Sequence, residues 1–199
     1  MSDNTRISAP SALRNREAIL GVLRMHLPAA GRVLEIASGT GEHVAYFAAA
    51  MPGLHFHPSD PDRERRASID SWTESLENVD RAVDLDVMRD WPEQHFNAVV
   101  CINMIHIAPW AAAEALVAGA AKHLLPRGKL ILYGPFKQDG VHSAPSNADF
   151  DADLRSRNSE WGVRDVLEVS ALAARFGFTL PEKIEMPANN LCLIFRLGT

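Results

Sequence analysis

From residue 33 onward, short apolar runs alternate with longer stretches whose apolar residues recur at helical spacing. Residues 33–37, 54–59, 79–85, 96–103 and 129–133 read as five strands. The fourth is apolar through its centre (Ala98, Val99, Val100, Cys101, Ile102), as a strand buried on both faces is. Residues 41–51 and 111–125 read as Ala-rich helices, the second stopped by Pro126 and Gly128. Asp60 and Pro61 read as an acidic cap and first-turn proline that open a further helix. Ahead of the alternation, a polar segment reaches about Ala12. Ile19, Val22, Leu23 and His26 then mark one helical face, which Pro28 and Gly31 end. The alternation predicts an α/β fold, a doubly wound Rossmann-like sheet with helices on both faces.

After residue 133 the pattern breaks. Residues 134–147 hold two Gly, two Pro, two Ser and an Asn, which is loop composition. A polar helix is predicted over 148–158 and a better one over 166–176, ended by Gly177. Strands at 179–186 and 191–197 close the chain. Their linker, Pro187-Ala188-Asn189-Asn190, is too short for a crossover helix, so this pair must be antiparallel. The expected organisation is one domain over 1–199, with a helical cap at 1–30 and a lid or substrate loop at 134–165.

Composition narrows the partners. Net charge is -5, and the basic cluster Arg63, Arg65, Arg66 is interrupted by Glu64, so no nucleic-acid footprint is expected. Cys101 and Cys192 lie inside apolar runs and read as buried thiols in a reducing compartment. The polar start and the lack of a bilayer-length apolar stretch predict a cytoplasmic protein with no membrane partner.

The most informative stretch is Val33-Leu34-Glu35-Ile36-Ala37-Ser38-Gly39-Thr40-Gly41, a buried strand carrying a carboxylate, then a small-residue turn, then a helix. Glycines there let the backbone approach a ligand at the carboxyl edge of an open α/β sheet. Dinucleotide sites need Gly-x-Gly-x-x-Gly, with a helix N-terminus facing a pyrophosphate. Counting from Gly39, the third glycine position is Val44, and Glu35 would repel phosphates. S-adenosylmethionine instead carries an ammonium and a sulfonium, which a carboxylate favours. A carboxylate in a buried strand is costly without a partner, which argues against a plain turn. Asp60, about 20 residues on, is positioned to accept both ribose hydroxyls, in competition with its capping role. Asp86, followed by Val87, is the candidate for the adenine amino group, with Asp84 its competitor.

On these residues the chain resembles the class I S-adenosylmethionine-dependent methyltransferases. The family pattern acidic-x-Gly-x-Gly-x-Gly stands here as Glu35, Ala37, Gly39 and Gly41. Ala37 replaces the first glycine, a departure that is tolerable at negative φ. Further motifs are similar to a small group of methyltransferase-like proteins of unassigned function in bacteria and animals. They are Arg14-Asn15-Arg16-Glu17, Asn103-Met104-Ile105-His106-Ile107-Ala108-Pro109-Trp110, Tyr133-Gly134-Pro135-Phe136, Trp161-Gly162-Val163-Arg164-Asp165 and Pro187-Ala188-Asn189-Asn190. The resemblance covers nearly the whole chain and implies strand order 3-2-1-4-5-7-6, strand seven antiparallel. It also implies the cofactor S-adenosylmethionine, with S-adenosylhomocysteine as product, but no particular substrate.

Methyl transfer is an in-line displacement in which the protein aligns the partners, excludes water and sometimes supplies a base. Asn103 and His106 follow the fourth strand and Tyr133 ends the fifth, where the acceptor belongs. Asn103 is expected at the cofactor, and His106 and Tyr133 are the candidate catalytic residues. The competing role for His106 is to cap or pack at the start of the Trp110 helix. Arg14, Asn15 and Asn189 are candidate substrate contacts, with helix-end and turn roles as alternatives, and Phe136 and Trp161 could line the acceptor pocket. His55 and His57 lie two apart, but no second pair has ligand spacing, so no metal is expected. The reading is methyl transfer to a small molecule or, secondarily, a protein. A non-catalytic cofactor-binding module and a nicotinamide-dependent oxidoreductase are the alternatives.

Overall fold

The computed structural model describes residues 5–198, so positions 1–4 of the expected N-terminal cap lie outside the described residues. Its strands are β1 (Gly31–Ile36), β2 (Leu54–Pro58), β3 (Phe96–Ile102), β4 (Leu124–Gly134), β5 (Lys137–Gln138), β6 (Val141–His142), β7 (Glu182–Met186) and β8 (Asn190–Arg196). Its helices are α1 (Pro10–His26), α2 (Glu42–Ala50), α3 (Arg63–Thr73), α4 (Trp110–His123), α5 (Pro145–Arg157) and α6 (Val166–Arg175). Six strands form one sheet in the order β2-β1-β3-β4-β8-β7, and β5 pairs with β6 in a separate hairpin inside the segment expected to be loop. Strands β1 to β4 are mutually parallel, while β8 is antiparallel to both of its neighbours. This is the implied order without its strand three, with β8 as strand seven.

Burial explains the elements. Along β3, Ala98 and Val100 join a core with Val33, Ile131 and Tyr133 beneath α1 and α2, packed on Ile19, Leu23, Val44 and Phe47. Val99 and Cys101 point the other way, with Leu34, Ile36 and Leu132, against Leu116, Val117, Val169 and Leu172 of α4 and α6. Alternate residues of one strand thus face different helical layers, and both must be apolar. Among the described residues, no helix is long and apolar enough to cross a membrane.

Several boundaries differ from the sequence expectation, among them α5, which starts at Pro145, and β7, which starts at Glu182; three more bear on the site or its edge. The third predicted strand, 79–85, survives only as two bridges to β2, Phe56↔Val79 and Ser59↔Val83, between which the register slips by one residue. Pro58 has no N–H to continue the ladder, and the Ala82 amide bonds the Asp70 carboxylate instead at 2.8 Å. Second, α3 starts at Arg63 and its cap is Asp62, not Asp60, with the Asp62 carboxylate accepting from the Glu64 and Arg65 amides. Third, α4 ends at His123, and β4 begins irregularly at Leu124 before its regular pairing from Lys129.

The chain goes from β1 to β2 on one side, then returns to place β3 on the other. The strand order reverses there, leaving a crevice at the carboxyl ends of β1 and β3, where open α/β sheets take their ligands.

Candidate functional site

A cavity of about 360 Å³ opens at that crevice, lined by the turn after β1, the end of β2, the turn after β3 and the start of α1. The turn is stitched to β2. The Ser38 amide donates to the Ser59 carbonyl at 2.8 Å, and the Gly39 amide to the Asp60 carboxylate at 3.0 Å. The Ser59 hydroxyl donates to the Glu35 carbonyl at 2.8 Å. Three residues of the turn take left-handed φ: Ala37 (54°), Gly39 (60°) and Gly41 (91°). A Cβ on Gly39 would meet nothing nearer than 4.0 Å, so its freedom serves the turn and leaves space on the cavity side. Gly41 differs, since a Cβ there would come within 2.6 Å of the Ile69 backbone in α3.

Ala37 therefore does not keep negative φ; it holds the glycine conformation of the family pattern with an alanine. Left-handed backbone costs a residue with a Cβ about 1–2 kcal/mol. Ala37→Gly is expected to raise stability by about 1 kcal/mol, read as a higher denaturation midpoint at unchanged m-value.

Glu35 is the central group. The residue is 3% exposed, it lines the cavity, and its Oε2 has no hydrogen-bond partner among the described residues. Burial pushes its carboxyl up to about 7, with the nearby Asp60 charge adding to the rise. Freed from capping α3, the Asp60 carboxylate accepts from the Gly39 amide on one oxygen and the Asp62 amide on the other. Burial also raises the Asp60 carboxyl. The capping bonds from Arg65 and Glu64 hold Asp62 low. Against these three carboxyl groups the cavity wall has one Arg, Arg65.

The opposite wall starts at Asn103, which turns the chain after β3 with φ 64° and whose amide donates to the Tyr133 carbonyl at 2.8 Å. Ile102, Met104 and Ile107 make that wall largely apolar. The roof comes from the start of α1 and the residues before it: Ala9, Ser11 and Ala12. Buried Glu42, in the first turn of α2, holds this segment by accepting from the Ala9 amide (2.5 Å) and the Ser8 hydroxyl (3.1 Å). Further out, the Ile7 amide bonds Ser68 Oγ and the Trp72 indole bonds the Ile7 carbonyl.

A family model matches residues 6–197, under the description "protein of unknown function (DUF938)". The chain belongs to that family. Among solved structures, mitomycin 7-O-methyltransferase MmcR is 15% identical, with TM-score 0.80 over 94% of this chain and 54% of that one. SibL, an S-adenosylmethionine-dependent methyltransferase in its apo form, is 16% identical, with TM-score 0.79 over 95% and 56%. Human N-acetylserotonin methyltransferase, in complex with S-adenosylmethionine, is 15% identical, with TM-score 0.74 over 92% and 55%. The chain spans little more than half the length of these structures. What it shares with them is the class I methyltransferase fold.

Of the residues singled out from sequence, Glu35, Ala37, Ser38, Gly39, Thr40, Asp60 and Asn103 surround the cavity. The others do not line it. Gly41 sits behind the turn against α3. Asp86 accepts from the Met88 amide and pairs with Arg89, Val87 is buried in the core, and Asp84 pairs with Arg66. Arg14 is exposed, and the Asn189 carbonyl accepts from Ser143 and Asn147 in the turn between β7 and β8.

Neither of the two expected catalytic groups lines the cavity. His106 is 0% exposed, packed edge-on against Phe136, with Nδ1 accepting from the Arg164 amide at 3.3 Å. Burial holds its imidazole down to about 3 and so neutral, its carbonyl accepts from the Gly162 amide, and its buried Nε2 has no hydrogen-bond partner among the described residues. Tyr133 is buried beneath α1, with its hydroxyl at Asn15. Phe136 is core, and Trp161 carries Arg157 over its ring.

Sequence reasoning missed His43, which lines the cavity and whose Nε2 lies 2.8 Å from Asn15 Oδ1, so Asn15 contributes from one shell behind. Burial lowers the His43 imidazole to about 4. Its position, two residues past Gly41 in the first turn of α2, was the available signal. Glu42 was also missed, because Ser8 and Ala9, the roof residues it holds, lie more than 30 residues away.

Proposed function

We propose that this chain binds S-adenosylmethionine in the cavity at the end of β1 and transfers its methyl group to a small molecule. The observation that carries the reading is the buried Glu35 carboxyl, which lines the cavity and whose Oε2 has no hydrogen-bond partner among the described residues. An unpaired buried carboxylate is costly until a cation meets it. A cationic cofactor with a ribose fits a wall of three carboxyl groups; a diphosphate does not. The cavity volume lies within the range of small-molecule sites.

In this reading Glu35 and the Ser38–Gly39 backbone hold the methionine end. Asp60 takes the ribose hydroxyls on its remaining lone pairs, since each carboxylate oxygen accepts more than one bond. Asn103 and the apolar Ile102, Met104 and Ile107 wall the other side. When bound, the cofactor supplies an electrophilic methyl group on a cationic sulfur. The chain's own part is to align the acceptor and keep water out with the roof of Ala9, Ser11 and Ala12. Glu35 releases its proton on meeting the cation. The segment 134–165 serves as the lid that shapes the acceptor side.

A cofactor-binding module without turnover is the second reading, favoured by the withdrawal of both His106 and Tyr133 from the cavity lining. Calorimetry with S-adenosylmethionine, S-adenosylhomocysteine and NAD tests the cofactor, and binding of NAD alone would overturn the assignment. Labelled methyl transfer into a cell extract tests turnover. Tight cofactor binding with no labelled product would establish the module.

A further inference from the structure

We propose that His55, His57 and Asp80 form a binding site for a divalent transition-metal ion of the zinc type, outside the cofactor cavity and independent of its assignment. His55 and His57 lie two apart on β2 and so share a face of the strand. Their ring centroids are 5.1 Å apart. The third group comes from the irregular sheet edge. Backbone bonds from Phe56 to Asn78 and from Asp80 to Phe56, at 2.9 and 3.0 Å, set Asp80 alongside the two rings. Its carboxylate reaches both, with Oδ1 2.7 Å from His55 Nε2 and Oδ2 2.7 Å from His57 Nδ1. One ligand atom from each residue falls within a 4.8 Å cluster.

The donor set is selective. Two imidazoles and one carboxylate suit zinc and its borderline neighbours and do not suit calcium or magnesium, which take oxygen ligands. Ligand atoms around a tetrahedral zinc stand roughly 3.3 Å apart, from bond lengths of about 2.0 Å, so small side-chain shifts admit the ion. His57 is buried and seated against Phe96 at 5.3 Å, which orients its ring. His55 and Asp80 are 42% and 47% exposed and leave a path for the ion and a fourth position for water. None of the three lines the cofactor cavity, so the ion's role is structural. It clips the edge segment to β2, and the same segment receives the Asp60 amide at Val83, 3.1 Å away. Metal occupancy thereby steadies the turn that carries Asp60.

This revises the expectation of no metal. That expectation looked for a second pair at ligand spacing, and the missing ligand is a single aspartate on a neighbouring segment.

The test is a titration of the chelator-stripped, nitrogen-15-labelled chain with zinc chloride, observed through the imidazole nitrogens. Saturation at one equivalent is expected, with the His55 and His57 resonances moving and those of the other histidines unmoved. His55→Ala and Asp80→Asn, both at half-exposed positions, are expected to weaken zinc binding about tenfold or more. The thermal midpoint of the wild-type chain should rise with zinc concentration. Wild-type His55 and His57 signals that ignore one equivalent of zinc, or variants that bind it as tightly as wild type, would overturn the proposal.

Discussion

Glu35→Gln is expected to weaken S-adenosylmethionine binding by roughly ten- to a hundredfold while making the unliganded protein more stable above about pH 8. The opposite signs share one cause. A hydrogen bond or ion contact to a buried charge is worth about 1.5–3 kcal/mol, and the amide loses it. Without a ligand, the same charge is a liability, because burial raises the carboxyl from 4.5 to about 7. Between those values the folded chain holds a proton that the unfolded chain has released, so stability falls as pH rises through that window and stays lower above it. Glutamine removes that penalty, worth about 2–4 kcal/mol at alkaline pH. Wild-type affinity for the cationic cofactor should also fall about tenfold per pH unit below about 7, because a proton must leave first. The variant should show no such slope. Denaturant melts and calorimetry across pH read both effects, and a variant that binds as tightly as wild type with the same pH profile would remove Glu35 from the site.

The second large effect is expected at Glu42. This buried carboxylate accepts from the Ser8 hydroxyl, the Ala9 amide and the Thr40 hydroxyl. Glu42→Ala deletes all three bonds and leaves donors unsatisfied, at a cost of about 2–3 kcal/mol. The anchors at Ser68 and Trp72 remain, so the segment over the cavity should loosen while the sheet stays folded. Hydrogen exchange at the Ala9 and Ala12 amides should speed up by a factor of roughly 30–150, with weaker cofactor binding in parallel. Ser8→Ala, which removes one exposed partner, should do much less. Unchanged protection at these amides would show that Glu42 does not hold the roof.

Most of the sheet was legible because its central strands are buried on two sides and must be apolar throughout. Val33, Leu34, Val99 and Val100 announce a strand whatever covers them. The edge was less legible: residues 79–85 carry strand-like spacing, yet Pro58 on the neighbouring strand withholds the N–H that would continue the ladder. At the site, the turn residues and Glu35 could be read locally, since a carboxylate in an apolar strand has few bland uses. His106 looked equally chemical by type and position. Depth is what disqualifies it, and depth is absent from a list of residues. Asp60 and Asp62 are two residues apart with equal capping ability, and packing of the turn against Gly39 decided which caps α3 and which turns toward the cavity.

By itself the sequence determined the alternation of strand and helix, the small-residue turn after β1 and the acidic character of the crevice. Each follows from side-chain volume, polarity and charge within a few neighbouring positions. The tertiary structure decided which groups face the cavity. It set Ala37 into a glycine conformation, placed Ser8 on Glu42 and Asp80 on His55 and His57, and sealed His106 away. Those outcomes depend on contacts between residues tens of positions apart, whose burial and hydrogen bonding no local pattern encodes.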